Sequence, residues 1–329
     1  MPERRFIDEM AAGERLENQV FLITQKDLRT TTQGSLYIHL VLADRTGQFP
    51  GRMWQATEEV YATMPEGGFL RFTGRVENYK GSLQFIVDAV RPAKEAEIDL
   101  GDFLPNTERD VDEMWEKVKA ILRTIEHPQL LQLIKQFVQD EPLTQAFRRS
   151  PAAVQMHHAF LGGLLEHTLN LLELAQLVIP RYPQVSLDLV LAGAFLHDIG
   201  KTAELSCDTS FQYSDTGHLV GHIVQSALWI ENKAAAVEAD TGEPFPKEIR
   251  EALIHIVLSH HGTHEFGSPK LPAMPEAIAL HHLDNLDAKL QMYLHHIESD
   301  PDPKSDWTKY VRGLDTRIYK GDPLGIRSR

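Results

Sequence analysis

The hydrophobic pattern of this 329-residue chain changes its period once, and the change divides the chain into two parts. Along residues 13–93 apolar side chains alternate with others over short runs, most clearly in Ser35–Leu42. Such alternation predicts strands with one buried face. From about Glu113 onward the apolar residues recur at helical spacing. We therefore predict a two-domain α+β protein, with a β domain followed by an all-α bundle.

The first part contains five strand-forming runs and one short helical run. In chain order these are Gln19–Lys26, Ser35–Leu42, Gln48–Trp54, the helical run Thr57–Met64, Phe69–Val76 and Ser82–Val90. A helix between the third and fourth of five short strands is the order of an OB-fold, a small Greek-key barrel. We predict a five-stranded OB-fold β-barrel over residues 13–93, with nucleic-acid binding as its function.

The charge of the chain, −14 overall, is unevenly distributed. Residues 13–93 hold nine basic and nine acidic side chains, whereas residues 94–112 hold two basic and seven acidic ones. We interpret 94–112 as an acidic linker, 113–300 as the helical domain and 301–329 as a basic C-terminal tail. A strongly negative chain argues against a nucleic-acid partner, but cations bound in the middle of the chain would invert the local field.

The helical domain is predicted from apolar periodicity and from Pro and Gly punctuation. After two helices in the region 113–138, further helices are expected over 151–178, 186–200, 217–238, 246–260 and 275–297. The single cysteine, Cys207, excludes an internal disulfide and favours a reducing compartment. No run approaches the roughly 20 apolar residues of a membrane helix, and the first residues lack the core of a signal peptide. We expect a cytoplasmic protein with no membrane partner, and a homo-oligomer stays open.

The pair His197-Asp198 stands in an otherwise apolar helical run, where a buried carboxylate is costly unless it is paired or binds a metal. Other candidates recur at intervals along the helical part, namely His167, His222, His260, His261 and Asp284. Singly, each has a structural alternative, such as a core histidine for His167 or an exposed helix carboxylate for Asp284 or its neighbour Asp287. Together, on successive helices, they predict a divalent-metal site within the bundle.

Two neighbouring features leave alternatives open. Lys201 lies four residues after His197, so we expect it on the same helix face. It would either place a positive charge beside a phosphate or simply favour the negative end of the helix dipole. His218 lies one turn before His222 and rivals it as a ligand. We interpret His260 and His261 as an exposed pair at a helix end.

The order His…His-Asp…His…His-His…Asp resembles the HD-domain metal-dependent phosphohydrolases. That resemblance implies a first metal held by His167, His197, Asp198 and Asp284, and a second that Asp198 bridges to His222, His260 and, as an open question, His261. Lys201 matches the lysine after the His-Asp pair in the HD-GYP branch. The resemblance makes Asp198 and Lys201 the catalytic residues, with Asp198 bridging the ions and Lys201 stabilising charge on the phosphodiester.

The β part and the helical part, taken together, resemble a narrower family. A predicted OB-fold, a linker, and then Gly162-Gly163-Leu164-Leu165-Glu166-His167-Thr168 resemble the YhaM-type 3′→5′ exoribonucleases, as do Leu283–Lys289 and the ending Trp307–Lys320. His281-His282 departs from the family, which tends to have an aromatic or small residue there, so His282 is left open as a ligand. The resemblance implies stepwise hydrolysis of single-stranded RNA from the 3′ end, with DNA open as a second substrate.

The expected metal follows from the ligand set. Mixed imidazole and carboxylate ligands suit Mn²⁺ first, with Fe²⁺, Co²⁺ and Mg²⁺ as alternatives, and the site predicts two ions. For the strand, stacking and charge predict contacts on the barrel at Tyr37, His39, Arg52, Trp54, Tyr79 and Lys80. His157 and His158 are candidates for substrate contact or for a purely structural role.

Two other functions remain in competition with an exonuclease. One is an HD phosphohydrolase acting on nucleotides or cyclic dinucleotides, with the barrel as a regulatory module. The other is a non-catalytic nucleic-acid-binding protein with a vestigial HD site, against which the filled ligand positions argue.

Overall fold

A computed structural model of the chain describes residues 4–94, 97–154, 158–207 and 209–327. The chain divides into two compact units. The first comprises Met1–Asn106 with Cys207–Ser210, and the second comprises Thr107–Ser206 with Phe211–Arg329. In the part of the chain that the structure describes, no helix is both long and apolar enough to cross a bilayer.

The first unit contains a closed five-stranded barrel. Its elements are β1 (Arg15–Thr30), β2 (Leu36–Asp44), β3 (Gly47–Trp54), α1 (Glu58–Thr63), β4 (Gly68–Tyr79) and β5 (Ser82–Pro92). Hydrogen bonding runs in the order β1-β2-β3-β5-β4, and β3 and β5 close the barrel as a parallel pair. With α1 between the third and fourth strands, this is the predicted OB-fold.

The predicted alternation along β2 is confirmed, because Ile38, Leu40 and Leu42 are fully buried inside the barrel. The centre of that core is a cluster of aromatic rings whose centroids lie 5.6–6.5 Å apart. It consists of Phe21, Phe49, Phe72 and Phe85. Aromatic packing at these separations adds to the stabilisation that burial of the rings provides.

Strand β1 is twice as long as the run that predicted it. Its register shifts between Leu16 and Gln19 against β4, and between Ile23 and Gln25 against β2. Bulges of this kind bend a strand, and the bend lets β1 pair with both neighbours. Asn18 sits in the first bulge with a φ of 56°, a conformation that asparagine tolerates better than most residues.

Part of the segment predicted as an acidic linker packs onto the barrel. Glu97 accepts from the guanidinium of Arg71 at 3.0 Å, and Phe103 packs its ring against that of Phe69. The backbone N–H of Arg45 donates to the carbonyl of Asp102 at 2.9 Å. Residues up to Asn106 therefore belong to the barrel unit, and Thr107 begins the helical one.

The second unit is a helical bundle with a two-stranded ribbon. Its helices are α2 (Val111–Leu122), α3 (Pro128–Val138), α4 (Glu141–Arg149), α5 (Gly163–Val178), α6 (Leu187–Leu196), α7 (Lys201–Glu204), α8 (Asp215–Leu219), α9 (His222–Thr241), α10 (Lys247–Ser259) and α11 (Pro275–Glu298). The ribbon pairs β6 (Leu205–Ser206) with β7 (Gln212–Tyr213). From Val190 to Leu196 helix α6 is apolar on all sides and buried, as a helix without a polar face requires.

Two helix predictions were wrong at their ends, and a third, the single helix expected over 217–238, was wrong because Gly221, with a φ of 77°, separates α8 from α9. The helix expected over 151–178 begins only at Gly163, because Gly162 and His158 have φ values of 80° and 49°, which a helix does not allow. The helix expected over 186–200 ends at Leu196, and a turn separates it from α7. The metal-site candidates His197 and Asp198 lie in that turn.

The C-terminal segment folds within the helical unit. Isolated bridges join Trp307 to Tyr319 and Val311 to Thr316. The ammonium of Lys320 donates to Asp300 at 2.7 Å. Ile318 is buried.

Candidate metal centre

The histidines and acids singled out from the sequence come together at one place in the bundle. His167 lies on α5, His197 and Asp198 follow α6, and His222 is the first residue of α9. His260 and His261 follow α10, and Asp284 lies in α11. Helix ends and turns supply most of these residues. Five parts of the chain thus contribute to a single cluster.

The carboxylate of Asp198 is the hub of this cluster. Its Oδ2 lies 2.7 Å from Lys201 Nζ, 3.3 Å from His197 Nε2 and 3.9 Å from His167 Nε2, and its Oδ1 lies 3.4 Å from His222 Nε2 and 3.6 Å from His260 Nε2. Asp284 extends the cluster, with Oδ1 at 3.2 Å from His167 Nε2. Each carboxylate oxygen of Asp198 therefore faces a different set of imidazoles.

The ligand-capable atoms form overlapping groups in which all atoms lie within 4.8 Å of one another. The groups are His167 with His197 and Asp198, His222 with His260 and His261, His197 with His260 and Asp284, and His158 with His167 and Asp287. Asp198 is a member of the first group, and its Oδ1 also lies near His222 and His260 of the second. The donor atoms of both groups are of the kinds that divalent cations bind.

Most of the imidazoles are held by the ring nitrogen that faces away from Asp198. The Nδ1 contacts are His167 to Asp287 Oδ2 at 2.7 Å, His197 to Ala194 O at 2.9 Å, His222 to Glu204 Oε1 at 2.9 Å, His260 to Val257 O at 2.6 Å and His261 to Phe266 O at 2.8 Å. An acceptor at Nδ1 places the proton there and leaves Nε2 as the lone-pair donor, which is the usual preparation of a metal-ligating histidine.

The residues present fit a metal. Among the described residues, none gives a hydrogen bond to the buried atoms His197 Nε2, His222 Nε2, His260 Nε2 or Asp198 Oδ1. Buried polar atoms without a partner are uncommon and costly, and here they converge. Imidazole nitrogens together with carboxylate oxygens match a borderline divalent cation.

Charge pairing dominates the electrostatics around Asp198. Burial on its own raises the pKa of Asp198, but Lys201 and His197 outweigh it and hold the pKa well below its ordinary value. Burial lowers the pKa of Lys201, yet Asp198 reverses that effect and the pKa is raised. Both groups are therefore charged at neutral pH.

The pKa values of the imidazoles shift in opposite directions, depending on their surroundings. Burial lowers the pKa of His167, but hydrogen bonds to Asp284 and Asp287 raise it to about 9. Burial and the nearby His260 lower the pKa of His261 to about 4, so His261 is neutral at pH 7. Burial also lowers the pKa of His260. Neutral imidazoles are the ligand form, whereas His167 must release a proton before its Nε2 can bind a metal.

The expectation that Lys201 shares a helix face with His197 was wrong. The turn after α6 breaks the helix, and Lys201 begins α7. It therefore cannot act as a cation at the end of α6. Its ammonium donates to Asp198, three residues earlier, at 2.7 Å. Lys201 is still part of the centre, because it contacts the carboxylate of Asp198.

The expectation of an exposed histidine pair after α10 was also wrong for one member. His260 is buried and its ring lies 4.9 Å from that of His197, while His261 is only partly buried. Asp284 is partly buried and faces the centre, whereas Asp287 is buried. The structural alternative of exposed helix carboxylates therefore fails for both.

Two carboxylates orient the imidazoles, and sequence reasoning missed that role. Glu204 bonds both the ring and the backbone N–H of His222. Asp287 contacts His167, accepts from Asn170 at 3.0 Å, and contacts His158 at 2.9 Å. Asp287 could have been found from its position one turn after Asp284. Glu204 gave no signal because it meets His222 only through tertiary packing.

A close backbone approach lets Glu204 reach His222. A Cβ on Gly217 would lie 2.4 Å from the carbonyl oxygen of Glu204, and one on Gly200 would lie 2.3 Å from that of His222. Real Cβ atoms do not approach oxygen so closely, so both positions require glycine. The backbone N–H of Gly200 also donates to Ser226 on α9 at 2.9 Å.

The remaining histidine candidates lie outside the cluster of ligand atoms around Asp198. His158 is buried and bonds Asp287, in agreement with a structural role. His157 lies outside the described residues. His218 is exposed and packs on Tyr213, and His282 is exposed beside His281. Neither His218 nor His282 belongs to a metal-capable group of the described residues.

The aromatic and basic residues predicted on the barrel form one patch. Tyr37 and Trp54 are register partners whose rings lie 5.1 Å apart, and His39 pairs with Arg52. The guanidinium of Arg52 lies 5.8 Å from the ring of Trp54 and 5.2 Å from that of Tyr79. The ammonium of Lys80 lies 5.4 Å from Tyr79. We call Tyr37, His39, Arg52, Trp54, Tyr79 and Lys80 the barrel patch.

Comparison with known proteins gives two findings on sequence. A family model described as "HD domain" matches residues 164–289. A relative from Geobacillus sp. (strain WCH70), described as "3'-5' exoribonuclease YhaM", is 32% identical over 309 residues. The match covers 93% of this chain and 92% of that protein. The first match covers every member of the metal-capable cluster around Asp198.

Solved structures resemble the barrel part. The second OB-fold domain of replication protein A from Methanococcus maripaludis matches 27% of this chain and 93% of its own, at 20% identity and a TM-score of 0.22. PriB from Ralstonia solanacearum matches 24% of this chain and 97% of its own, at 15% identity and a TM-score of 0.21. The OB-fold assignment itself rests on the strand order described above.

Proposed function

This chain belongs to the family of the 3′-5′ exoribonuclease YhaM, and from that membership we propose that it hydrolyses single-stranded RNA stepwise from the 3′ end. Single-stranded DNA is the second candidate substrate. The observation that carries the proposal is the convergence of imidazole Nε2 atoms on the two oxygens of Asp198. A helical unit built in this way suits a metal-dependent hydrolase of phosphodiesters.

In this proposal two divalent ions are the cofactors, with Mn²⁺ favoured by the mixed nitrogen and oxygen ligands. His167, His197, Asp198 and Asp284 would hold one ion, and Asp198, His222, His260 and His261 the other. Bound there, the ions would supply Lewis-acid polarisation of the phosphodiester and activation of water. His261 and Asp284 are partly exposed, and a substrate would reach the centre past them.

The roles of the chain's own residues follow from their contacts. Asp198 stands at the point where the imidazole Nε2 atoms converge and balances the buried charge of Lys201. The ammonium of Lys201 remains close to the reaction and can stabilise negative charge that builds up on the phosphoryl oxygens. Water attacks phosphorus, the bond to the leaving sugar oxygen breaks, and that oxygen takes up a proton. Asp287 and Glu204 position His167 and His222.

The barrel patch would bind the strand. Trp54 is 44% exposed and Tyr79 is 46% exposed, although large aromatic rings usually bury. Exposed rings flanked by Arg52 and Lys80 offer stacking surfaces for bases and cations for phosphates. The neutral balance of charge over residues 13–93 allows such binding in a chain of net charge −14.

The test is incubation of a single-stranded RNA with the protein, using Mn²⁺ in one reaction and a chelator in the other. With a 5′ label we expect a ladder of progressively shorter labelled products that requires the cation. With a 3′ label the label should appear at once as a mononucleotide. Release of a labelled mononucleotide from the 5′-labelled strand would reverse the direction, and internal fragments would show an endonuclease.

A series of substrates from mononucleotide to 20-mer separates the proposal from a nucleotidase. A nucleotidase would release phosphate from the mononucleotide and leave the oligomers unchanged. Metal analysis of protein purified without chelator tests the vestigial alternative, which predicts no bound transition metal.

A further inference from the structure

We propose that a pocket beside the candidate metal centre binds the 3′-terminal nucleotide, with Phe266 as the surface on which its base stacks. This inference rests on the proposed function, because it assigns a place to the nucleotide that hydrolysis would release. It concerns residues on the helical unit that lie outside the ligand set.

The pocket opens directly from the centre. It has a volume of about 420 Å³. At the centre it is lined by Asp198, Lys201 and Asp284, which we call its inner end, and beyond the ligand set by Phe266, Asn285 and Lys289, which we call its outer part. Small-molecule sites span about 300–1,000 Å³, so this volume suits one nucleotide and not a length of strand. A phosphate at the inner end would place its nucleoside in the outer part.

Helix α11 builds one wall of the pocket from a single stripe. Positions 281, 284, 285, 288, 289 and 292 recur at intervals of three and four residues, so they share a helix face. Asn285 and Lys289 are exposed on this stripe, and Met292 is buried below it. Lys289 lies about 7.5 Å along the axis from Asp284. An amide and an ammonium thus stand within one nucleotide's length of the centre.

Phe266 faces this stripe from the turn after α10. It is 69% exposed, which is unusual for a phenylalanine. The turn is nevertheless fixed, because the carbonyl of Phe266 contacts His261 Nδ1 at 2.8 Å and Gly267 follows with a φ of 84°. The same residue thus joins a metal-capable imidazole to an open aromatic ring. A base stacked there would lie beside the candidate centre, and stacking tolerates every base.

The remaining polar groups suit a sugar and phosphate. Lys289 offers donors and a positive charge, and Asn285 offers both a donor and an acceptor. His281 is held in place by its Nδ1 contact with the carbonyl of His260 at 2.7 Å. These groups distinguish the pocket from a purely apolar groove. They favour a nucleoside monophosphate over an apolar ligand.

The experiment compares the binding of two probes to the Mn²⁺-loaded protein by calorimetry. Adenosine 5′-monophosphate carries a base, and ribose 5-phosphate carries the same phosphate and sugar without one. The wild-type protein should bind the first about tenfold more tightly, because only that probe can stack. Phe266→Ala should abolish this difference and leave the affinity for ribose 5-phosphate unchanged. Phe266→Tyr should retain the difference.

Two further variants sharpen the result. Lys289→Gln should weaken the binding of both probes by the same factor, because Lys289 would contact the sugar and phosphate that the two probes share. Tyr182→Ala removes another exposed aromatic ring of the helical unit, outside the pocket lining, and should change neither affinity. An unchanged preference for the base in Phe266→Ala, or the absence of binding to the wild-type protein, would overturn the proposal.

The RNA ladder, run on the same preparations, separates this proposal from the proposed function. If the protein shortens RNA but shows no Phe266-dependent preference for the base, only the pocket assignment is wrong. If it shows that preference but does not shorten RNA, the nucleotide pocket stands and the proposed exonuclease activity is wrong.

Discussion

The two units of this protein place their candidate functional residues in opposite ways. The barrel fills its interior with phenylalanine rings and carries its candidate binding residues outside, at Tyr37, Arg52 and Trp54. The helical unit instead buries charged groups, such as Asp198 and Lys201, at the meeting point of its helices. A surface for binding needs only exposure, whereas hydrolysis needs charges held in a fixed, water-poor place.

The same difference decides how each unit should respond to substitution. Each exposed ring of the barrel patch would offer its own stacking surface, so losing one should weaken binding by a limited factor. Residues around Asp198 share hydrogen bonds and charges, so losing one should disturb all the others. The predictions below test this contrast.

The largest effect is expected for Asp198→Asn. This change removes the charge that the surrounding imidazoles and Lys201 face, while keeping nearly the same volume. Hydrolysis of single-stranded RNA should fall by about a thousandfold or more, and binding of the RNA should change little. Initial rates and fluorescence anisotropy measure the two quantities. Glu173→Gln, at an exposed position of α5, is the matched control. Near-normal rates in Asp198→Asn would remove the two-metal proposal.

A smaller effect is expected for Asp287→Asn, since Asp287 orients His167 but stands behind it. His167 and His158 both contact Oδ2, and Asn170 donates to Oδ1, so the NH2 group of an asparagine would face either the two imidazoles or the Asn170 amide in place of an acceptor. Affinity for Mn²⁺ should fall by about 10–100-fold, as measured by calorimetric titration. Glu298→Gln, at the far end of the same helix, should leave the affinity unchanged. Equal affinities in both variants would show that Asp287 serves packing alone.

A still smaller effect, on the KM for RNA, is expected for Trp54→Ala in the barrel patch. Removing one stacking surface should raise the KM for a long single-stranded RNA by about tenfold. The rate on a dinucleotide, which has few bases to stack, should change less. A fall in kcat on both substrates would mean that Trp54 acts on the structure as a whole.

The smallest effect is expected for Asp140→Ala, because Asp140 belongs neither to the barrel patch nor to the metal-capable groups. Asp140 caps α4 by accepting from the N–H of Leu143 at 3.3 Å, and it pairs with Lys233 at 2.6 Å. Loss of the cap should lower the free energy of unfolding by about 1 kcal/mol without changing activity. Urea denaturation measures this difference against the wild-type protein.

The pH dependence of that difference follows from the pKa of Asp140, which Lys233 lowers. A carboxyl whose folded pKa is depressed contributes its stabilisation above the unfolded pKa of about 3.9 and loses it as pH falls through the folded value. The gap between wild type and Asp140→Ala should therefore be constant near pH 7 and shrink below about pH 4. A gap that widened in acid would contradict the pairing.

The barrel could be predicted in outline because alternation and turn residues are local signals. The length of β1 could not, since its bulges arise from pairing with two strands at once. In the helical unit, polar residues within apolar runs pointed to His197 and Asp198. The break after Leu196 was missed because the sequence there reads as one continuous apolar helix.

The partners of the candidate ligands were harder to predict than the ligands. Glu204 meets His222 only because Gly217 and Gly200 let two helices approach closely. Arg109 donates to Asn170, which in turn donates to Asp287, and this chain of bonds spans 178 residue positions. Spacing along a sequence carries no information on such contacts. They depend on the whole unit being folded.

Helix α11 supplies Asp284 and Asp287, more than a hundred residues after His167. A growing polypeptide still on the ribosome therefore lacks both carboxylates until α11 has been synthesised. Under the proposed function, a nascent chain that has not yet reached α11 lacks the complete centre and should not attack the messenger from which it is translated.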